Sequence, residues 1–274
     1  MVEIVINRFF LNKSQSSIVN MNIHVAQSPV ELGKAAGAKA AQMIRVAIAT
    51  NGIASIILAT GTSQFETLKQ LISEDDIKWD RVVIFHLDEY IGLPVTHPAS
   101  FRKYLQERVL SKLPALKAVY LINGETEAKA ECERLGKLIT AHPVDVALVG
   151  IGENGHLAFN DPPADFDTEE PYILVKLDEA CKKQQMGEGW FNSIEEVPGF
   201  AISMSIKQIL RSKNIICSVP DSRKATAVKN TLEQPVSNLY PASILQLHPG
   251  CYCFLDKTSA QLISPQTYVN EHAR

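Results

Sequence analysis

The chain has 274 residues, 46% of them hydrophobic and 21% charged, with a formal net charge of -3. That is enough chain and enough apolar sequence for one large α/β domain or two small ones. The mildly acidic balance argues against a nucleic-acid or anionic-membrane partner, and no apolar run reaches the roughly 20 residues that span a bilayer.

Residues 1–28 read as a weakly structured N-terminal extension, because Asn, Ser, Lys and Gln interrupt the apolar residues. The opening MVEIVINRFFLNKSQSS has no basic start followed by a long apolar core, so no signal peptide is expected. Residues 29–274 read as one domain. A helix is expected from Pro29 to about Thr50, ended by Asn51 and Gly52. Ala54–Ala59 (ASIILA) is a strand buried on both faces, followed by a helix opened by Thr60-Gly61-Thr62-Ser63. A strand at Arg81–Leu87 runs into a loop at Asp88-Glu89-Tyr90, then a helix at Ser100–Leu113, a strand at Ala118–Ile122 and a helix at Glu125–Ala141. Asp145–Ile151 (DVALVGI) is another buried strand and ends in a Gly-rich turn. Beyond it come a strand at Tyr172–Leu177, a helix from Asp178, a strand-helix-strand set through Val219, a helix at Ser222–Leu232, a strand near Tyr252–Leu255 and a short closing helix. This alternation implies an α/β fold, a three-layer α/β/α sandwich with a mostly parallel, Rossmann-like central sheet.

Ligands of open parallel sheets sit beyond the carboxyl ends of the strands. That rule selects four loops. Thr60, Gly61, Thr62 and Ser63 stand at a strand-to-helix junction whose N–H groups and dipole favour a phosphate, although a plain capped turn gives the same pattern. Asp88 and Glu89 follow a buried strand; neighbours in extended chain point opposite ways, so at most one faces the ligand. A partly buried carboxylate there can serve as a proton-abstracting base or merely as a cap. The third loop, Gly150 to Pro163, gathers Gly152, Asn154, His156 and Asp161. Its glycines allow close approach to a ligand, its histidine can shuttle a proton between sugar oxygens, and Asp161 can orient the ring. His156 has no set of His or Cys partners at zinc spacing, and no metal is expected. The fourth loop puts Arg223 and Lys224 in the first turn of a helix, where a cation opposes the dipole unless an anion joins it.

The segments FHLDEYIGLPVTHPASF (85–101) and DVALVGIGENGHLAFNDPP (145–163), with ATGTS (59–63), SRKATAV (222–228) and ASILQLHP (242–249), resemble the glucosamine-6-phosphate deaminase (isomerase) family of the 6-phosphogluconolactonase-like superfamily. The resemblance covers most of the chain from Ile56 onward. It implies conversion of an amino-sugar 6-phosphate to fructose 6-phosphate and ammonia without a cofactor. By matched position, it makes Asp88 the enolisation base and His156 the ring-opening residue, with Asn154 and Asp161 assisting. It puts phosphate on Thr60 to Ser63, with Gly152 and Lys224 also at the substrate. It allows homo-oligomers, from monomers through hexamers.

Two departures stand out. Asp161 replaces the usual Glu, and CKKQQMGEGWF (181–191) replaces a run ending in Arg-Phe-Phe, leaving Lys182 or Lys183 to stand in for a phosphate-binding arginine. The rival readings are the same chemistry on galactosamine 6-phosphate, a 6-phosphogluconolactonase, and a non-catalytic sugar-phosphate sensor. The lactonases continue differently after the histidine, and a sensor regulating transcription needs a DNA-binding helix pair that residues 1–28 are too short and polar to supply. Five cysteines at irregular spacing, Cys132, Cys181, Cys217, Cys251 and Cys253, form no disulfide framework and point to a reducing, cytoplasmic setting.

Overall fold

The computed structural model describes residues 21–187 and 189–264. Its first element is β1 (Asn22–Ala26), within the stretch expected to be weakly structured. This corrects that expectation for its last part; residues 1–20 lie outside the described residues. The strand was hidden because it lies at a sheet edge, pairs only with the strand near the C-terminus, and mixes partly buried with buried residues rather than forming an apolar run.

Helix α1 (Pro29–Asn51) starts where the Ser28 hydroxyl accepts the Glu31 N–H and stops at Gly52, whose φ of 75° suits a residue without Cβ. β2 (Ala54–Leu58) is buried throughout and leads through a 3-10 turn at Thr62–Gln64 into α2 (Phe65–Ile72). β3 (Val82–His86) lies beside it, and the chain then enters β4 (Asp88–Tyr90), where a loop was expected. Helix α3 (Phe101–Arg108), β5 (Ala118–Tyr120), α4 (Ala128–Ala141) and β6 (Val146–Val149) follow. The last part comprises β7 (Tyr172–Lys176), α5 (Glu179–Gly187), β8 (Phe200–Met204), α6 (Ile206–Leu210), β9 (Asn214–Val219), α7 (Ala225–Glu233) and β10 (Cys251–Asp256). The chain turns after β10, and the rest of the stretch expected to close with a short helix, residues 265–274, lies outside the described residues.

Seven strands form one parallel sheet in the order β1-β10-β9-β6-β2-β3-β5. Alternate residues feed two cores. Ile56, Leu58, Val82, Ile84 and Leu148 pack with α1, α2 and α3, whereas Ile57, Val83, Phe85, Ala147 and Val149 pack with α4, α6 and α7. Both faces are therefore covered, which is why these strands read as continuous apolar runs. This is the expected three-layer α/β/α arrangement.

The chain leaves the centre in opposite directions: β2 continues to β3 and β5, while β6 continues to β9 and β10, with β1, the first strand in the chain, added at the far edge. The β2/β6 boundary is a topological switch point, and the crevice beyond it is where such sheets hold ligands. A second, antiparallel sheet, β4-β8-β7, stands next to that crevice. The strands β7 and β8 thus belong to this side sheet and not to the central one. Asp88 is the first residue after the chain passes from one sheet to the other, and the Met204 N–H donates to the Leu87 carbonyl at 2.7 Å to fix that crossing.

Candidate active site

A cleft, partly open to solvent, lies at the switch point. Its walls include Thr60, Gly61, Thr62, Ser63, Asp88, Gly152, His156 and Lys224. Residues from four separate loops of the sequence therefore meet around one space, the concave setting in which small-molecule sites form.

Asp88 is 8% exposed and reaches the cleft, while its neighbour Glu89 points the other way. Glu89 is fully buried and accepts hydrogen bonds from the Ser100 hydroxyl (2.9 Å), the Arg102 N–H (2.8 Å) and Arg102 Nε (3.2 Å). It therefore caps α3 and ties β4 to it. The alternation of an extended chain separates the two carboxylates, one to the solvent-linked cleft and one to a buried ion pair.

His156 Nδ1 lies 2.9 Å from Asp161 Oδ1, and that oxygen also accepts from Asn154 Nδ2 at 2.8 Å. The Asn154 side-chain oxygen in turn accepts the His156 N–H at 3.0 Å. Asp161 and Asn154 thus stand behind the imidazole rather than on the cleft wall. Burial pushes the Asp161 carboxyl up, but hydrogen bonds from His156 and Asn154 and the charge of His156 outweigh it, holding the carboxyl below its usual range. An ionised carboxylate only accepts, so Nδ1 donates to it, and in the neutral ring the lone pair is then on Nε2. The Cys181 thiol also touches Asp161; burial and then the Asp161 charge raise its pKa, so it stays a thiol. Gly152 has a steric role here: a Cβ on it would lie 2.3 Å from His156 Nε2.

Gly61 begins the 60–63 turn at φ 92° and ψ 169°. The buried Gln64 side chain supports this turn from below, its Nε2 donating to the Val149 (3.4 Å) and Ser218 (3.3 Å) carbonyls at the ends of β6 and β9. Lys224, 8% exposed, closes this side with Arg223, which pairs with Asp221 (2.9 Å) and Glu153 (3.6 Å).

From the replaced segment, Gln184 and Gln185 line the cleft, while Lys182 and Lys183 are not among its walls. The expectation that one of those lysines faces the phosphate is corrected by the turn of α5, which points the next two residues inward. Gln185 is held by the Tyr90 hydroxyl at 2.6 Å, and Gln184 accepts the Glu153 N–H at 3.3 Å. The sequence signal for them was position alone, within the segment that departs from the family pattern. Phe101 and Phe159 supply the apolar wall. Among the described residues, no group of three or more His, Cys, Asp or Glu side chains is arranged to hold a metal ion, and no helix is long and apolar enough to cross a membrane.

A parallel α/β sheet with an acid–base cleft at its switch point, walled on one side by a glycine-hydroxyl turn and a buried lysine, defines a class of proteins acting on small anionic metabolites. Residues 27–252 match the profile of the family described as glucosamine-6-phosphate isomerases/6-phosphogluconolactonase, and the chain belongs to that family. A glucosamine-6-phosphate deaminase of Listeria welshimeri is 38% identical over 234 residues, 84% of this chain and 97% of that one. One from Streptococcus pneumoniae is 38% identical over 214 residues, 78% and 89% of the two chains. The solved structure of a monomeric glucosamine-6-phosphate deaminase superposes with a TM-score of 0.78 at 31% identity, covering 88% of this chain and 99% of that one. The 6-phosphogluconolactonase of Trypanosoma brucei, at 20% identity, a TM-score of 0.73 and coverage of 88% and 98%, shares the fold.

Proposed function

We propose that the chain is a cytoplasmic enzyme that converts glucosamine 6-phosphate to fructose 6-phosphate and ammonia. The reading rests on one observation: Asp88, His156, the 60–63 turn and Lys224 all line a single cleft. The named deaminase relatives, at 38% identity over most of both chains, support it.

In this reading the phosphate binds the N–H and hydroxyl groups of Thr60, Gly61, Thr62 and Ser63 and the ammonium of Lys224. His156 Nε2 takes the proton of the anomeric hydroxyl and returns it to the ring oxygen, so the C1–ring oxygen bond breaks and an aldehyde forms. Asp161 holds the imidazole and stabilises its protonated form. Asp88 then removes the C2 proton. The electron pair of that bond becomes the C1–C2 double bond while the aldehyde oxygen gains a proton, giving an amino-enol. Return of the proton to C1 yields the 2-imine, and water replaces the nitrogen, releasing ammonia. The sequence consumes one water and releases one ammonia, and its other steps only move protons.

The sequel after the histidine favours the deaminase over the lactonase, because it supplies Asp161, the partner of His156. A second reading keeps the chemistry and changes the sugar to galactosamine 6-phosphate; it rests on the departure of residues 181–191 from the family pattern, which puts Gln184 and Gln185 on the wall. The test is incubation of purified protein with glucosamine 6-phosphate, galactosamine 6-phosphate and 6-phosphogluconolactone in parallel, assaying ammonia and the ketose or acid product. Ammonia and fructose 6-phosphate from the first support the proposal. Ammonia from the second alone favours the galacto reading, and turnover of the lactone alone rejects both.

A further inference from the structure

Behind the 60–63 turn, outside the cleft, Tyr104 of α3 is 6% exposed and its hydroxyl donates to the Gly61 carbonyl at 3.1 Å. Its ring is held independently of that bond. It stacks on Phe65 with centroids 5.7 Å apart and planes 16° from parallel, and the Arg108 guanidinium lies 4.2 Å from the Phe65 centroid and 5.5 Å from that of Tyr104. The hydroxyl is thus presented from a braced platform to one backbone oxygen of the turn.

That oxygen belongs to the peptide that matters for an anion. A planar trans peptide points its C=O and its N–H in opposite directions. Holding the Gly61 carbonyl on Tyr104 turns the Thr62 N–H to the other side, away from α3. Thr62 and Ser63 begin the 3-10 turn that runs into α2, and the first N–H groups of a helix have no intrahelical acceptor. Without a second anchor this peptide can flip, because Gly61 at φ 92° has the backbone freedom that only glycine offers, and a Cβ there would meet nothing within 4 Å. A flipped peptide would aim a carbonyl oxygen at the ligand. The Gln64 N–H also donates to the Gly61 oxygen, at 3.2 Å. That bond closes the turn locally, whereas the tyrosine bond ties it to a different helix.

We propose that Tyr104 is a positioning residue for the phosphate group: its hydroxyl fixes the Gly61–Thr62 peptide so that the Thr62 N–H is presented to the anion. This rests on the phosphate reading of the 60–63 turn. Tyr104 touches neither the phosphate nor the reacting carbons, so its effect falls on binding that ground and transition states share, and it appears in KM and not in kcat. The gain is preorganisation, since the turn holds its binding shape before the ligand arrives.

Tyr104→Phe keeps the ring, the stack and the burial and removes one hydroxyl. The dissociation constant for inorganic phosphate, measured by titration calorimetry, is expected to rise about five- to tenfold, the usual scale for one hydrogen bond. KM for glucosamine 6-phosphate should rise by a similar factor while kcat and the thermal midpoint stay nearly unchanged. A second variant, Thr62→Pro, removes the N–H itself. It sits at a helix-start position that accepts proline, and Gly61 at ψ 169° lies outside the helical ψ range that proline disfavours in the residue before it. Phosphate affinity should fall in this variant too, and adding Tyr104→Phe to it should change little, because both act on the same donor. Unchanged phosphate affinity in Tyr104→Phe, fully additive losses in the double variant, or a fall in kcat at constant phosphate affinity overturns the assignment, as does a lack of phosphate binding by the unaltered protein. Calorimetry needs no turnover. Tyr104-dependent phosphate binding without release of ammonia would therefore sink the deaminase reading and leave this one standing.

Discussion

Asp161 and His156 form a 2.9 Å contact through Oδ1 and Nδ1, five residues apart in one loop, and Asn154 donates to the same carboxylate oxygen at 2.8 Å. The contact selects which imidazole nitrogen is free for chemistry. Asp161→Asn removes the charge that stabilises the protonated ring and lets the amide accept or donate, so the tautomer is no longer fixed. The expected result is a fall in kcat of about 100-fold or more with KM little changed, in the range that proton transfer by a positioned side chain contributes. The depressed pKa of Asp161 fixes the sign of its pH dependence. The pair is intact above the ordinary aspartate value of 3.8 and is lost only as pH falls through the lower value in the folded chain. An acid limb of kcat near neutrality therefore does not arise from Asp161. If Asp161→Asn moved that limb without lowering its plateau, the orienting role would be wrong.

Gly152→Ala tests the same imidazole from below. The added methyl carbon would lie 2.3 to 2.4 Å from three ring atoms of His156, so the ring or the loop must move. A displacement of about 1 Å at a catalytic group costs on the order of 100-fold in rate, and overpacking of this kind costs about 1–3 kcal/mol of stability. Kinetics and thermal unfolding of the variant give both quantities. Near-normal kcat would mean that the ring position is not critical.

Much of this site was legible in the sequence because its loops follow strands buried on both faces. Ala54–Leu58 and Val146–Val149 are apolar at every position since helices cover both sides, and the switch-point rule then pointed to the turns after them. The strand β4 was not legible, for Asp-Glu-Tyr has no apolar run, and its ladder partner Ala201–Ser203 lies far along the chain. The same holds for β1, half-solvated at the sheet edge. Gln184 and Gln185 were missed because which face of α5 meets the cleft depends on how that helix docks, and its weakly apolar sequence does not fix this.

Asp88 and Glu89 are neighbours with opposite duties, and paired variants separate them. Asp88→Asn leaves packing intact and removes the base, so exchange of the C2 proton with solvent should stop, kcat should fall by about 10²–10⁴-fold and phosphate affinity should hold. Glu89→Gln breaks the buried pair with Arg102, whose side chain is 9% exposed against 0% for Glu89. Removing one partner of a buried pair costs about 3–5 kcal/mol, partly offset here because Arg102 keeps its 2.9 Å bridge to Glu125. Denaturant unfolding monitored by circular dichroism should therefore show a large loss for Glu89→Gln and almost none for Asp88→Asn. Equal stability losses in the two would contradict the division of labour.

His86, two residues before Asp88, sets a pH limit on the fold. Val82 and Ile84 face the core under α1, α2 and α3, and His86 continues that face of β3 with no exposed surface and, among the described residues, no well-formed hydrogen bond to either ring nitrogen. Burial first, and the nearby charge of Arg102 second, lower its pKa from 6.5 to about 3, and the Asp88 backbone offsets only part of this. The folded state thus binds this proton less readily than the unfolded chain. The stability contributed by a neutral His86 is fully present above pH 6.5 and is lost as pH falls towards about 3, at up to roughly 1.4 kcal/mol per pH unit. His86→Leu puts an apolar side chain in the same apolar setting and removes the titration. Its thermal midpoint should vary less between about pH 6.5 and 4.5 than that of the unaltered protein, whose midpoint drops as His86 is forced to charge. Parallel pH profiles for the two proteins would show that the acid sensitivity of the fold lies elsewhere.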